Sequence, residues 1–219
     1  MTESSEATAP EFDARFRERF EDLLRWRRDV RRFRRDPLDP ALVERLLGLA
    51  DLAPSVGLSQ PWRFLRVEAP AARQAVRDEF ARCNREALES YRGERSRLYA
   101  ALKLAGLDAA PVQLAVFCDE ATEQGHGLGR RSMPETLRYS VVTAVHTLWL
   151  AARAWGVGVG WVSILDPEEI ARILAVPESW SLVAYLCLGL PEEETETPEL
   201  DRAGWEARRQ RATEGPPEQ

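Results

Sequence analysis

The segment from Pro134 to Gly156 sets the tightest limit on how this 219-residue chain can fold. It opens on a proline, closes on a glycine and is apolar on most sides, the pattern of a long helix buried on more than one face. A membrane does not offer that burial. The most apolar stretch, Tyr139 to Trp155, contains His146 and Arg153, and no run reaches the roughly 18–20 uninterrupted apolar residues of a span. Core partners are present in two compact apolar runs, Val112–Cys118 and Leu182–Leu188, each read as a buried strand. Trp62–Val67 and the residues after Gly156–Gly160 supply two more short strands.

Helices fill the intervals. Phe12, Phe16, Phe20 and Leu23 recur at helical spacing. Asp39-Pro40 is an N-cap and first-turn pair opening a helix to Leu52, with Leu42, Val43, Leu46, Leu47 and Ala50 on one face. Pro70 to about Gly106 is helical and charged, and Asp166-Pro167 starts a further helix, Glu168–Leu174. Helices and strands do not alternate strictly, so the fold class is α+β, one sheet flanked by helices. A single domain is expected over residues 11–211, between disordered tails at 1–10 and 212–219. The polar, acidic amino terminus lacks an apolar signal region, and a cytoplasmic location is expected.

Composition excludes several functions. Cys83, Cys118 and Cys187 are odd in number and widely spaced, and His126 and His146 are the only histidines, so no metal site is expected. The formal charge of −6 argues against nucleic acid as a partner. Its distribution is uneven. Arg25–Arg35 (RWRRDVRRFRR) holds seven arginines and one acid, leaving −12 on everything else. Planar guanidinium groups bind phosphate through paired hydrogen bonds, so the cluster suits a phosphorylated ligand. It equally suits a solvated helix face with Asp29 paired to Arg25 or Arg32. Asp29 is the one carboxylate there and a candidate base.

The loop APSVGLSQPW offers Ser55, Ser59 and Gln60 to a polar heterocycle, or it is a helix-stop turn. Two G-x-G-x-G runs, at Gly125–Gly129 and Gly156–Gly160, lack the preceding strand and following helix of a dinucleotide fingerprint. The second reads as a helix C-cap with close backbone packing. Ser163 has no nucleophile elbow around it and reads alone as a core hydroxyl. Trp149, Trp155, Trp161 and Trp180 read as core.

Six pieces in order carry a resemblance: RRDVRRF, APSVGLSQPWRF, LKLAGL, GRRSMPETLRYS, GWVSILDP and AYLCLGLP. Together they resemble the nitroreductase-like flavoproteins, and within them the 5,6-dimethylbenzimidazole synthase branch, from about Arg25 to Arg208. The resemblance implies a mostly antiparallel central sheet, extended termini, and a homodimer with two FMN sites at its interface. It implies flavin contacts from Arg27, Arg28, Asp29, Val30, Arg31, Ser55, Gln60, Leu104, Ser163 and Arg208, with Lys103 and Leu104 in a helical lid. Most nitroreductases carry serine or threonine where Asp29 stands, often asparagine at Leu58, and glutamate-glycine at Ser163-Ile164. Asp29 and Ser163 match the synthase branch. The implied reaction takes reduced FMN as substrate and O2 as co-substrate and yields 5,6-dimethylbenzimidazole, the lower ligand of vitamin B12, with erythrose 4-phosphate. It uses no metal and draws on a separate FMN reductase. Asp29 is the expected base, and Ser163 the expected hydrogen-bonding group near the reactive flavin edge. The alternatives are an NAD(P)H-dependent nitroreductase or flavin reductase, and a non-catalytic flavin-binding protein.

Overall fold

The computed structural model describes residues 9–102 and 106–209. Four antiparallel strands form one sheet in the order β1-β2-β4-β3: β1 Trp62–Arg66, β2 Val112–Asp119, β3 Gly158–Val162 and β4 Trp180–Gly189. Among the described residues there are seven α-helices: α1 Ala14–Trp26, α2 Pro40–Ala50, α3 Pro70–Ser90, α4 Gly93–Ala101, α5 Thr136–Ala154, α6 Pro167–Ile173 and α7 Glu199–Arg202.

Side chains of a strand alternate between faces, so the unbroken apolar runs of β2 and β4 require cover on both sides. Leu114, Val116, Cys118, Ala184, Leu186 and Leu188 pack with α2 and α5. Ala115, Phe117, Tyr185 and Cys187 pack with Val76 of α3, Ile170 of α6 and Phe33. The long apolar helix is α5, and Leu137, Val141, Ala144, Val145, Leu148 and Ala152 are its buried face. Asp39 caps α2 through a hydrogen bond from Ala41 N at 2.9 Å, and Asp166 caps α6 in the same way. The tails expected at 1–10 and 212–219 fall almost wholly outside the described residues. Trp155 corrects one expectation. It sits at the end of α5, exposed, with the Arg45 guanidinium 5.1 Å from its ring.

Glu79 ties α3 to α6. Its buried carboxylate accepts from Arg82 at 2.6 and 2.9 Å, from Cys83 Sγ at 3.1 Å and from Asp166 N at 3.2 Å. The Arg82 guanidinium, chief among these donors, lowers its pKa from 4.5 to about 2. A carboxyl depressed in the folded state contributes stability that is complete above its unfolded pKa and lost as pH falls through the folded one. Glu79→Gln is therefore expected to melt below the parent at pH 7, with the difference closing between pH 4.5 and 2. Melting curves across that range check it.

Candidate active site

The arginine segment is not a helix. α1 ends at Trp26, and Arg27 already has extended backbone, φ −68° and ψ 124°. A helix continued through Arg35 would stack guanidinium groups at i,i+3 and i,i+4, each pair repulsive. The extended segment runs beside β3 instead. Val30 N donates to Val159 O at 3.0 Å, Asp29 bridges Val159 in parallel, and Phe33, 1% exposed, bridges Pro191. Asp29 therefore faces Arg31, two residues on, and not Arg25 or Arg32 as helical spacing predicts.

Gly158 and Gly160 of the second G-x-G-x-G run make this approach possible, since a Cβ on either would run into Val30. Gly156, with φ +72°, ends α5. A Cβ on Gly160 would lie 2.1 Å from the Val30 carbonyl oxygen. Gly160→Ala should push the Asp29 segment off β3 and cost about 1–3 kcal/mol. At roughly 2–4 °C per kcal/mol in a chain of this size, a thermal melt reads that loss directly.

Both Asp29 oxygens have donors: Trp161 N to Oδ1 at 2.8 Å, and Arg31 Nε to Oδ2 at 3.2 Å. The side chain is nonetheless 35% exposed. It opens on a cleft whose walls include Arg31, Phe80, Gly160, Ser163 and Cys187. Ser163 is exposed at the cleft, not a core hydroxyl. Asp29 and Ser163, 134 residues apart in the chain by their numbering, thus share one space. Cys187 is fully buried and its thiol is pushed up to about 12, chiefly by burial, so it supplies no thiolate at neutral pH. Arg31 Nη1 is buried with no hydrogen-bond partner among the described residues. A donor left in that state points to a polar ligand.

Glu193 and Glu196 neutralise part of the cationic segment. Glu193 pairs with Arg32 and with Arg202, Glu194 with Arg153, and Glu196 with Arg25, while Asp36 takes Arg34. Arg27, Arg28 and Arg208 have no ion pair among the described residues. Arg27 lies over Trp149, 4.9 Å from the ring centroid, and that indole donates to Arg28 O at 3.1 Å. The Arg28 guanidinium donates only to the carbonyl oxygens of Arg25, Arg27 and Glu196. Burial lowers the pKa of Arg27, and the charge of Arg208 lowers it further against the opposing pull of Asp29. Burial, then Arg27 and Arg208, lower that of Arg28. These guanidinium groups repel one another, and an anion placed among them would relieve that repulsion and accept paired hydrogen bonds.

The remaining sequence candidates lie in three places. Val30 contributes backbone to the bridge, and its side chain packs against Gly158. Ser55 and Gln60 belong to a separate loop, where Ser55 Oγ accepts from Gln60 N at 3.1 Å and Gln124 Nε2 donates to Gln60 Oε1 at 3.1 Å. That loop holds Leu58 and Gln60 at φ +56° and +40°, a strained conformation for residues other than glycine. Neither Ser55 nor Gln60 lines the Asp29 cleft in this chain. Lys103 and Leu104 lie outside the described residues. Two contributors escaped sequence reasoning. Trp149 presented only its apolar character, and the Trp161 amide has no sequence signature. The acidic residues did leave a signal, since PEEETETPE carries the charge that complements the cluster.

An antiparallel sheet between helices, an arginine-bearing segment laid along β3 and a cleft lined by Asp29, Arg31 and Ser163 together define the class. The Nitroreductase family profile matches residues 24–190, and the chain belongs to that family. Within it, the chain is 61% identical over 202 residues to 5,6-dimethylbenzimidazole synthase from Rhodospirillum rubrum, covering 92% of this chain and 96% of the relative. It is 51% identical over 195 residues to the enzyme of that name from Rhodobacter capsulatus, with 89% and 94% covered. Among solved structures it resembles oxidized iodotyrosine deiodinase bound to FMN and 3-iodo-L-tyrosine, with TM-score 0.68, 27% identity and coverage of 80% and 91%.

Proposed function

We propose that this chain is a 5,6-dimethylbenzimidazole synthase that consumes reduced FMN and O2 and releases the benzimidazole and erythrose 4-phosphate. The observation that carries the reading is the convergence of Asp29, Arg31 and Ser163 on one cleft, with Arg27, Arg28 and Arg208 in no ion pair among the described residues. These residues fit a phosphorylated ligand with a polar planar ring. Reduced FMN supplies both the electrons for O2 and the carbon skeleton of the product.

Each protein group has a defined task. Arg27, Arg28 and Arg208 hold the phosphate, and that binding energy positions the far end of the ligand for reaction. Arg31 Nη1 donates to the ligand and gains the partner it lacks. Asp29, pinned by the Trp161 amide, accepts a proton at the junction of ribityl chain and ring. Ser163 directs its hydroxyl to the reactive edge. Phe80 of α3 stands over the cleft and limits water.

A homodimer completes this reading. Ser55 and Gln60 reach a flavin only from a second copy, and apolar surface suited to an interface is exposed at Phe12 just before α1, at Phe16 and Phe20 on α1, and at Tyr139 and Val142 on α5. No helix among the described residues is long and apolar enough to cross a membrane.

The test separates the electron source from the chemistry. Product is expected when a separate FMN reductase supplies reduced flavin in air, and none when the same mixture is kept anaerobic. Rapid turnover of a nitroaromatic with NAD(P)H alone would instead mark a conventional reductase.

A further inference from the structure

Away from the cleft, one aromatic cluster joins parts of the chain that are distant in sequence. Tyr91, at the α3–α4 junction, stacks on Tyr99 of α4 with ring centroids 4.9 Å apart. Trp205, on the arm beyond α7, meets Tyr91 edge-on at 5.5 Å and lies 6.1 Å from Tyr99. Arg95 of α4 sits over the indole at 5.0 Å, and its Nη1 donates to the Trp205 carbonyl oxygen at 2.6 Å. The buried Tyr99 hydroxyl donates to Asn84 Oδ1 on α3 at 2.8 Å, which anchors the cluster in the helix pair.

Neither side of this contact is well held otherwise. Tyr99 is the one buried residue of α4, which packs chiefly on α3. Residues 206–209 form no helix or strand. Yet the two sides reach opposite ends of the site. Phe80 of α3 lines the cleft beside Asp29 and Ser163. Arg208 follows Trp205 by three residues, a reach of at most ~10 Å, and it belongs to the anion group with Arg27 and Arg28. Arg208 therefore cannot leave that group far behind while Trp205 stays docked.

We propose that Trp205 is a positioning residue: docked on Tyr91, Tyr99 and Arg95, it fixes Arg208 at the phosphate end, so that α3–α4 and the arm close on a phosphorylated ligand as one unit. This rests on the flavin reading above and adds the way in which the cover recognises its substrate. A flavin without phosphate occupies the cleft but leaves α4 as it is in the free protein.

Hydrogen exchange on the full-length protein tests this with oxidised FMN and riboflavin as probes at matched occupancy. In the parent, FMN is expected to slow exchange across residues 93–101 and riboflavin is not. Trp205→Ala should weaken FMN binding about 10-fold, the scale of a lost aromatic contact. It should leave riboflavin affinity unchanged and abolish the slowing even at saturating FMN. Trp205→Phe should restore part of both effects. Arg95→Ala, which cuts the same contact from α4, should reproduce the loss of slowing if Trp205→Ala fails to fold. Unchanged exchange in β2 and β4 identifies the folded variants. Equal slowing by riboflavin, or slowing retained in folded Trp205→Ala, overturns the proposal. If the parent takes up no FMN, the flavin reading falls and this one with it. If FMN binds and α4 does not respond, only the role of Trp205 falls.

Discussion

Asp29→Asn is expected to cut benzimidazole formation by about two orders of magnitude or more, the usual contribution of a positioned general base, while FMN affinity changes only a few-fold. The reason is geometric. An asparagine oxygen can still accept from Trp161 N, which donates to Asp29 Oδ1 at 2.8 Å, so the segment stays registered on β3. The second position loses its charge and presents an amide to Arg31, which approaches Oδ2 at 3.2 Å in the parent. Basicity is removed and the arginines proposed to hold the phosphate are left in place. Single-turnover product assays with pre-bound reduced FMN, set beside FMN titrations, separate the two effects. Product at the parental rate from a variant that binds normally would remove Asp29 from the chemistry.

The second large effect is expected at the anion end. Arg27→Ala should weaken FMN binding by roughly 10- to 150-fold, the equivalent of about 1.5–3 kcal/mol for a hydrogen bond to a charged group, and leave riboflavin affinity nearly unchanged. Stability should move little. The substitution removes the stacking on Trp149 but also relieves the repulsion from Arg28 and Arg208. A residue kept at the expense of internal repulsion is the pattern of a binding site. Parallel FMN and riboflavin titrations with a melting curve check all three statements. Equal weakening of both ligands would show that Arg27 acts on the ring and not on the phosphate.

Much of this architecture was legible in the residues. Pro134, Gly156 and the apolar faces between them define α5, and the apolar runs of β2 and β4 leave no alternative to a sheet covered on both sides. β4 starts two residues earlier than its apolar run because Trp180 and Ser181 pair with Asp119 and Cys118 of β2. The arginine segment was legible as chemistry but not as conformation. Local spacing permits a helix there, and only the Val30–Val159 bond and the burial of Phe33, both long-range, select the extended form. The same holds for the site. Composition identifies the concentration of positive charge, while which arginines stay without carboxylate partners depends on where residues 193–196 fold back. Ser163 could not be separated from a core hydroxyl in sequence, since its exposure follows from β3 ending at Val162. Ser55 and Gln60 show the opposite limit: their loop is formed within this chain, and it lies outside the cleft that Asp29 lines.

The most direct test of the account follows the fate of the flavin carbon. Protein is mixed in air with reduced FMN labelled in the isoalloxazine ring, and the products are separated and weighed by mass spectrometry. The account predicts labelled 5,6-dimethylbenzimidazole in proportion to the FMN lost, and none from Asp29→Asn. Quantitative recovery of intact oxidised FMN from protein that binds it would contradict the account and leave a reductase or a flavin carrier in its place.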